Sequence, residues 1–127
     1  MNAGNALPHL PAPYDVDLAV EIFRMLADGT RLQLLWCLRD DELPVGVLAA
    51  MLDKQPPAVS QHLAKLRMAR LVQTRRQGTT VFYRLDNDHV RQLVLDGVHH
   101  AEHAGAGVPA HHAGGGPGIR TLPGIDA

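Results

Sequence analysis

A chain of 127 residues with twelve basic and thirteen acidic side chains, formal net charge −1, has room for one domain with a modest core and not for two. Its lone cysteine, Cys37, excludes an intrachain disulfide and a two-cysteine redox switch. The scarcity of aromatic side chains argues against stacking single-stranded nucleic acid on aromatic platforms. No run approaches the ~20 apolar residues that span a bilayer, and the opening MNAGNALPHLPAPYD lacks the basic region and apolar block of a signal peptide. A cytoplasmic protein with no membrane partner is expected.

Residues 1–14, with three prolines among small side chains, read as a disordered arm; His9 within it is a surface histidine or a stray ligand. From 15 to 27, Leu18, Ile22, Met25 and Leu26 fall at helical spacing. Asp28-Gly29 breaks that pattern, and Thr30 is the predicted N-cap of a second helix, RLQLLWCLRD. Apolar on most sides, this helix is expected to be the central buried one, with Cys37 as a small core residue. Asp40-Asp41-Glu42 reads as a solvated turn, VGVLAAMLD as a short third helix, and Lys54-Gln55 as the turn after it.

Between Asp53 and Asp86 there is no acidic residue, yet seven of the twelve basic ones stand there: Lys54, Lys65, Arg67, Arg70, Arg75, Arg76 and Arg84. Such a run is either a solvated face or a field that attracts a polyanion, nucleic acid being the usual one. The pattern beneath it favours the second. Pro56 and Pro57 suit a helix start. Val59, Leu63 and Leu66 then make one narrow apolar stripe. Gln61, Ala64, Lys65 and Met68 lie opposite, with Ser60 and His62 on the flanks; small and amide-bearing side chains followed by lysine fit a helix in the major groove. Residues 72–76 and 80–85 are β-prone runs joined through Gln77-Gly78-Thr79, with Arg75 and Arg76 expected at the tip against phosphate. Two helices joined by a short turn and followed by a basic hairpin make a winged helix-turn-helix. The predicted fold is mainly α with a β-hairpin wing, in the order α-α-α-α-β-β-α. Its predicted partner is double-stranded DNA, met by Ser60, Gln61, His62, Lys65, Arg67, Arg75 and Arg76.

Asp86 or Asn87 can cap a last helix running to about 104, where Gly105 and Gly107 end it, so the domain is placed at 15–104 and a histidine-containing flexible tail at 105–127. Val90, Leu93, Val94, Gly97, Val98 and Ala101 form an apolar face suited to a partner helix. His89, His99, His100, Glu102 and His103 sit on the same helix, with His111 and His112 in the tail. A rise of ~1.5 Å per residue puts His89 and His100 roughly 16 Å apart, too far to share an ion with bonds of ~2 Å within one helix. Two antiparallel helices in a dimer would bring His89 of one chain against His100 and His103 of the other. His100 with His103 and His99 with His103 stand at spacings that allow a shared ion on one helix.

LADGTRLQLLWCL, LPVGVLAAML, AVSQHLAKLRMARLV and GTTVFYRL together resemble the ArsR–SmtB family of small winged-helix repressors over residues 15–104. The resemblance implies a homodimer built on the first and last helices, binding to an inverted-repeat operator, and release by a metal ion or another inducer. Two patterns of that family overlap here. The SmtB-type zinc pattern places His89, His100 and His103 in register, with Asn87 where an aspartate belongs, which leaves a tetrahedral Zn(II) set one strong donor short. The KmtR-type nickel/cobalt sensors are the closer resemblance. They imply His89, Glu102, His103, His111 and His112 as ligands, with His99, His100 and Asn87 as further candidates. A set of imidazoles and carboxylate that exceeds four donors suits octahedral Ni(II) or Co(II). The function so implied is that of a metal-sensing repressor that binds operator DNA as an apo homodimer and is released by Ni(II) or Co(II). A Zn(II)-responsive repressor, a nickel storage or chaperone protein, and a solvated histidine-rich tail are the other readings. An enzyme is not expected, because no HExxH occurs and no paired carboxylate base stands beside the histidines.

Overall fold

The structure, a computed structural model, describes residues 9–105. Along the chain come α1 (Pro13–Leu26), α2 (Gly29–Cys37), β1 (Leu43–Pro44), α3 (Val45–Leu52), α4 (Pro56–Met68), β2 (Val72–Gln77), β3 (Thr80–Leu85) and α5 (Asp88–Gly105). The predicted order holds, with one strand added. β1 pairs antiparallel with β3 through Leu43↔Tyr83 and Pro44↔Phe82, so the sheet is three-stranded in the order β1-β3-β2 rather than a two-stranded hairpin. Two residues are too few to show alternation, and a strand that ends on proline is tolerated only because it lies at an edge.

α1 begins at Pro13, before the expected start at 15, since proline fits the first helical turn. None of its residues is fully buried. Ile22, Met25 and Leu26 pack on the core, while Tyr14, Val16, Leu18, Val20 and Phe23 are exposed. The cap of α2 is Asp28, not Thr30. The Asp28 carboxylate accepts from the backbone N–H of Arg31 at 2.9 Å, starting the helix earlier than predicted. Arg31 then reaches back, its Nε donating to the Met25 carbonyl at 2.8 Å, so one short segment closes the end of α1 and the start of α2. Burial pushes the Asp28 carboxyl up, but the Arg31 amide and the charges of Arg31 and His62 outweigh it and hold the carboxyl below its ordinary value.

The core consists of Leu34, Leu35 and Leu38 from α2 and its end, Leu48 and Ala49 from α3, Val59, Leu63 and Leu66 from α4, then Leu71, Val72, Val90 and Val94. The predicted stripe of α4 is thus fully buried, and α2 shares the centre with it instead of holding it alone; Trp36 and Cys37 are only half-buried at its margin. Burial pushes the Cys37 thiol up, which fits a packing residue rather than a nucleophile. α3 and α4 both end without glycine, on Asp53 (φ 56°) and Arg70 (φ 61°). After each, the next amide turns back into the helix, Lys54 to the Ala49 carbonyl and Leu71 to that of Leu66, closing the ends as a left-handed cap does.

Residues up to Val94 make one compact unit and the later turns of α5 belong to a second; in the second, residues 99–105 are exposed. No helix among the described residues is long and apolar enough to cross a membrane.

Asp28→Ala is expected to lower the unfolding free energy by about 1 kcal/mol at neutral pH. Because the folded-state pKa of Asp28 lies below the unfolded value, this contribution is present above the unfolded value and lost as pH falls through the folded one. Urea denaturation should show the variant and its parent converging in acid.

Candidate nucleic-acid interface and metal-donor helix

α4 runs from Pro56 with its inner stripe buried, and Ser60, Gln61, Ala64, Lys65, Arg67 and Met68 are exposed. With α3 and the Asp53–Gln55 turn before it, this is a helix-turn-helix whose second helix presents small, amide and basic side chains outward. His62 stands differently. Its Nδ1 is buried without a hydrogen-bond partner and lies 3.9 Å from the Asp28 carboxylate, so this ring nitrogen faces the start of α2 and not the outer face.

The wing turns through Gly78 and Thr79, with Gln77 paired to Thr80 and Gly78 at φ 64°, a conformation glycine adopts freely. Arg75 and Arg76, expected at the tip, are set back from it, opposite Phe82 and Val81. Arg75 is also engaged. Its Nε donates to the Glu42 carboxylate, its Nη1 to the Gln77 side chain at 2.9 Å, and its guanidinium lies over the Phe82 ring, 4.6 Å from the centroid. Arg76 is exposed and stands outside this cluster. The 40–42 turn, predicted to be merely solvated, is where several cations end. Arg91 of α5 donates to Asp40 at 2.8 Å, and Glu42 holds Arg75 with Arg84 at 3.9 Å. The hydrogen bond from Arg91 is the chief reason the Asp40 carboxyl sits below its usual value.

At the head of α5 the structure chooses Asn87 over Asp86 as the cap. The Asn87 Oδ1 accepts from the amides of His89 at 2.8 Å and Val90 at 3.1 Å. The oxygen that would bind a metal is therefore already occupied in starting the helix. His89 is exposed and borders a 530 Å³ cavity lined by Leu18, Glu21, Ile22, Leu71 and Leu93 among others. His99, His100, Glu102 and His103 are exposed on the later turns. Among the described residues no three histidine, cysteine or acidic side chains converge closely enough to hold an ion; His111 and His112 lie outside the described residues. The donors present, exposed imidazoles and one carboxylate, are chemically suited to a borderline divalent cation. The links that Gln73, Arg84, Asp86 and Arg91 make between these elements carry no sequence signal, because they join residues 11 to 52 positions apart.

Residues 28–74 match the family described as bacterial regulatory protein, arsR family. The chain is 64% identical over 113 residues to the HTH-type transcriptional regulator KmtR of Mycobacterium tuberculosis, covering 88% of this chain and 86% of that one. It is 39% identical over 97 residues to the HTH-type transcriptional repressor SmtB of the same species, covering 74% and 72%. Among solved structures, the homodimeric winged helix-turn-helix DNA-binding domain of Mb0332 from Mycobacterium bovis superposes with a TM-score of 0.67 at 27% identity, over 81% of this chain and 98% of that one.

Asn87→Ala is expected to lower metal-free stability by about 1 kcal/mol through loss of the cap, and Asn87→Asp to retain it. Denaturation in the presence of a chelator measures this; equal stability of the alanine variant and its parent would show that the cap contributes nothing.

Proposed function

The chain belongs to the ArsR family of bacterial regulatory proteins and is a transcriptional regulator, not an enzyme; we propose that it is a homodimeric repressor, bound to its operator when metal-free and released by Ni(II) or Co(II). The observation that carries the proposal is the pairing of two surfaces on one small fold. One is the outward face of α4, with Ser60, Gln61 and Lys65. The other is a set of exposed donors on α5, His89 in the first unit and Glu102 with His103 in the second.

Tyr14, Val16, Leu18, Val20 and Phe23 are exposed on α1, apolar side chains that a second copy would cover, and the homodimeric relative Mb0332 supports that reading. Two copies would present their α4 helices to successive major grooves about one helical turn apart. Ser60 and Gln61 reach base edges there, while Lys65, Arg67 and Arg76 meet phosphate, with Arg75 holding the wing. His62 serves this face by bracing α4 against α2.

The metal would be held by His89, Glu102, His103, His111 and His112, with His99 and His100 as neighbouring donors. The helical rise of ~1.5 Å per residue keeps His89 and His103 of one chain from sharing an ion, so each shell draws on two chains. More than four nitrogen and oxygen donors favour octahedral Ni(II) or Co(II) over tetrahedral Zn(II). Zn(II) is the second reading, on His89, His100 and His103; engagement of Asn87 in the cap counts against it. Metal bound across the dimer favours a geometry that fits DNA less well, and linkage then requires the ion to bind free protein more tightly than the DNA complex, by roughly 1–3 kcal/mol. A storage or chaperone role would show no salt-sensitive duplex binding.

Operator titrations with Ni(II), Co(II) and Zn(II) test the proposal. Release is expected with the first two and is expected to be lost in His89→Ala with His103→Ala; operator affinity indifferent to all three ions overturns it. Arg76→Ala is expected to reduce the slope of log affinity against log salt by about 0.9 for one lost phosphate contact, measured by titration at several ionic strengths.

A further inference from the structure

We propose that Gln73 and Asp86 are positioning residues that couple the head of α5 to the wing and to the exit of α4, so that their hydrogen bonds transmit the metal response to the DNA-binding surface. The inference rests on the repressor function proposed above and names the residues through which it is regulated.

A continuous chain of contacts joins these elements. The amides of His89 and Val90 donate to Asn87 Oδ1, and Asn87 Nδ2 donates to Asp86 Oδ2 at 2.9 Å. The other Asp86 oxygen accepts from Gln73 Nε2 at 2.8 Å. Gln73 Oε1 accepts from Arg84 Nη2 at 2.6 Å, and Arg84 lies 3.9 Å from Glu42, which holds Arg75 on β2. Gln73 and Asn87 each use both ends of the amide, which fixes their orientation. Asp86 is the junction. Its backbone amide donates to the Leu71 carbonyl at 3.0 Å, just beyond α4, while its carboxylate takes Gln73 from β2 and Asn87 from the α5 cap. Those two hydrogen bonds, Gln73's first, hold the carboxyl below its ordinary value. A second strap runs in parallel, from Arg91 one turn further along α5 to the Arg39 carbonyl and Asp40, in the loop that leads to Glu42.

The physical consequence is directional. His89 is a proposed ligand whose own amide is held by Asn87, so a pull on His89 strains the cap. The cap is bonded to Asp86, and Asp86 cannot move without disturbing Gln73 or the exit of α4. Spatial continuity alone does not establish coupling; non-additivity does.

The test uses Gln73→Met, which keeps the size of the half-buried side chain and removes both polar atoms, with Asp86→Ala and the double variant. Operator affinity is measured with and without Ni(II), and amide hydrogen exchange in the metal-free full-length protein. We expect metal-free operator affinity within about threefold of the parent, and the Ni(II)-induced weakening reduced by about tenfold, within the range of known coupling effects. His89 and Val90 amides should exchange faster, and the double variant should lose no more than the stronger single one. Arg84→Met, at an exposed position, breaks the chain at the next link and carries the same expectation should Gln73→Met fold poorly. A Gln73→Met protein that keeps the parental Ni(II) effect and the parental exchange at His89, or strictly additive losses, overturns this inference alone. A parent indifferent to Ni(II) overturns the proposed function and this inference with it.

Discussion

The burial of Val59, Leu63 and Leu66 on one side of α4 is the constraint from which the rest follows. All three are fully buried, each contributing roughly 1.5–3 kcal/mol relative to exposure as an upper estimate. They pack in the same core as Leu34, Leu35 and Leu48 of α2 and α3. Once that face is committed, a period of 3.6 residues leaves Ser60, Gln61, Ala64 and Lys65 nowhere but outside. The outward face is therefore a consequence of the core. Its ends are equally fixed, by the Gln55 carbonyl accepting from Ala58 and Val59 and by Leu71 folding back onto Leu66.

Where a helical period persisted for several turns, the sequence was easy to read. α1, α4 and α5 lie within a few residues of the expected limits, and the stripe of α4 is the one buried. What escaped notice was either short or non-local. β1 has two residues and no alternation to reveal it. Asp28 and Thr30 are both good capping residues, and only the distance from Asp28 to the Arg31 amide decides between them. Asp86 and Asn87 posed the same choice, settled by the two amides that Asn87 holds. The donors of the metal helix were legible as residue types, but their convergence was not. Under the proposed function that convergence would draw on a second chain and on residues 111 and 112, and neither follows from local pattern.

The charge pattern shows how far a linear reading can mislead. Along the chain, 54–85 is a field of one sign. In space, Glu42 has been brought to Arg75 and Arg84 from outside that segment. The basic residues thus divide by role. Arg75 and Arg84 are tied to Glu42, whereas Lys65, Arg67 and Arg76 are exposed outside this pairing. A count of cations along one segment overstates the net charge of the surface it forms.

Most of the polar links between α5, the wing and the 40–42 turn are partly or largely exposed: Arg75 and Arg84 keep roughly half of their side-chain surface in water. Exposed pairs of this kind contribute about 0–1 kcal/mol each to stability. That weakness matches the task. A repressor needs a difference of only a few kcal/mol between two arrangements to change its occupancy of an operator. Links near that size can be exchanged at little cost, whereas the leucine core cannot be rearranged without a cost several times larger. The fold thus separates a rigid element, the buried face of α4 that fixes which residues the helix presents outward, from a set of weak polar ties around it.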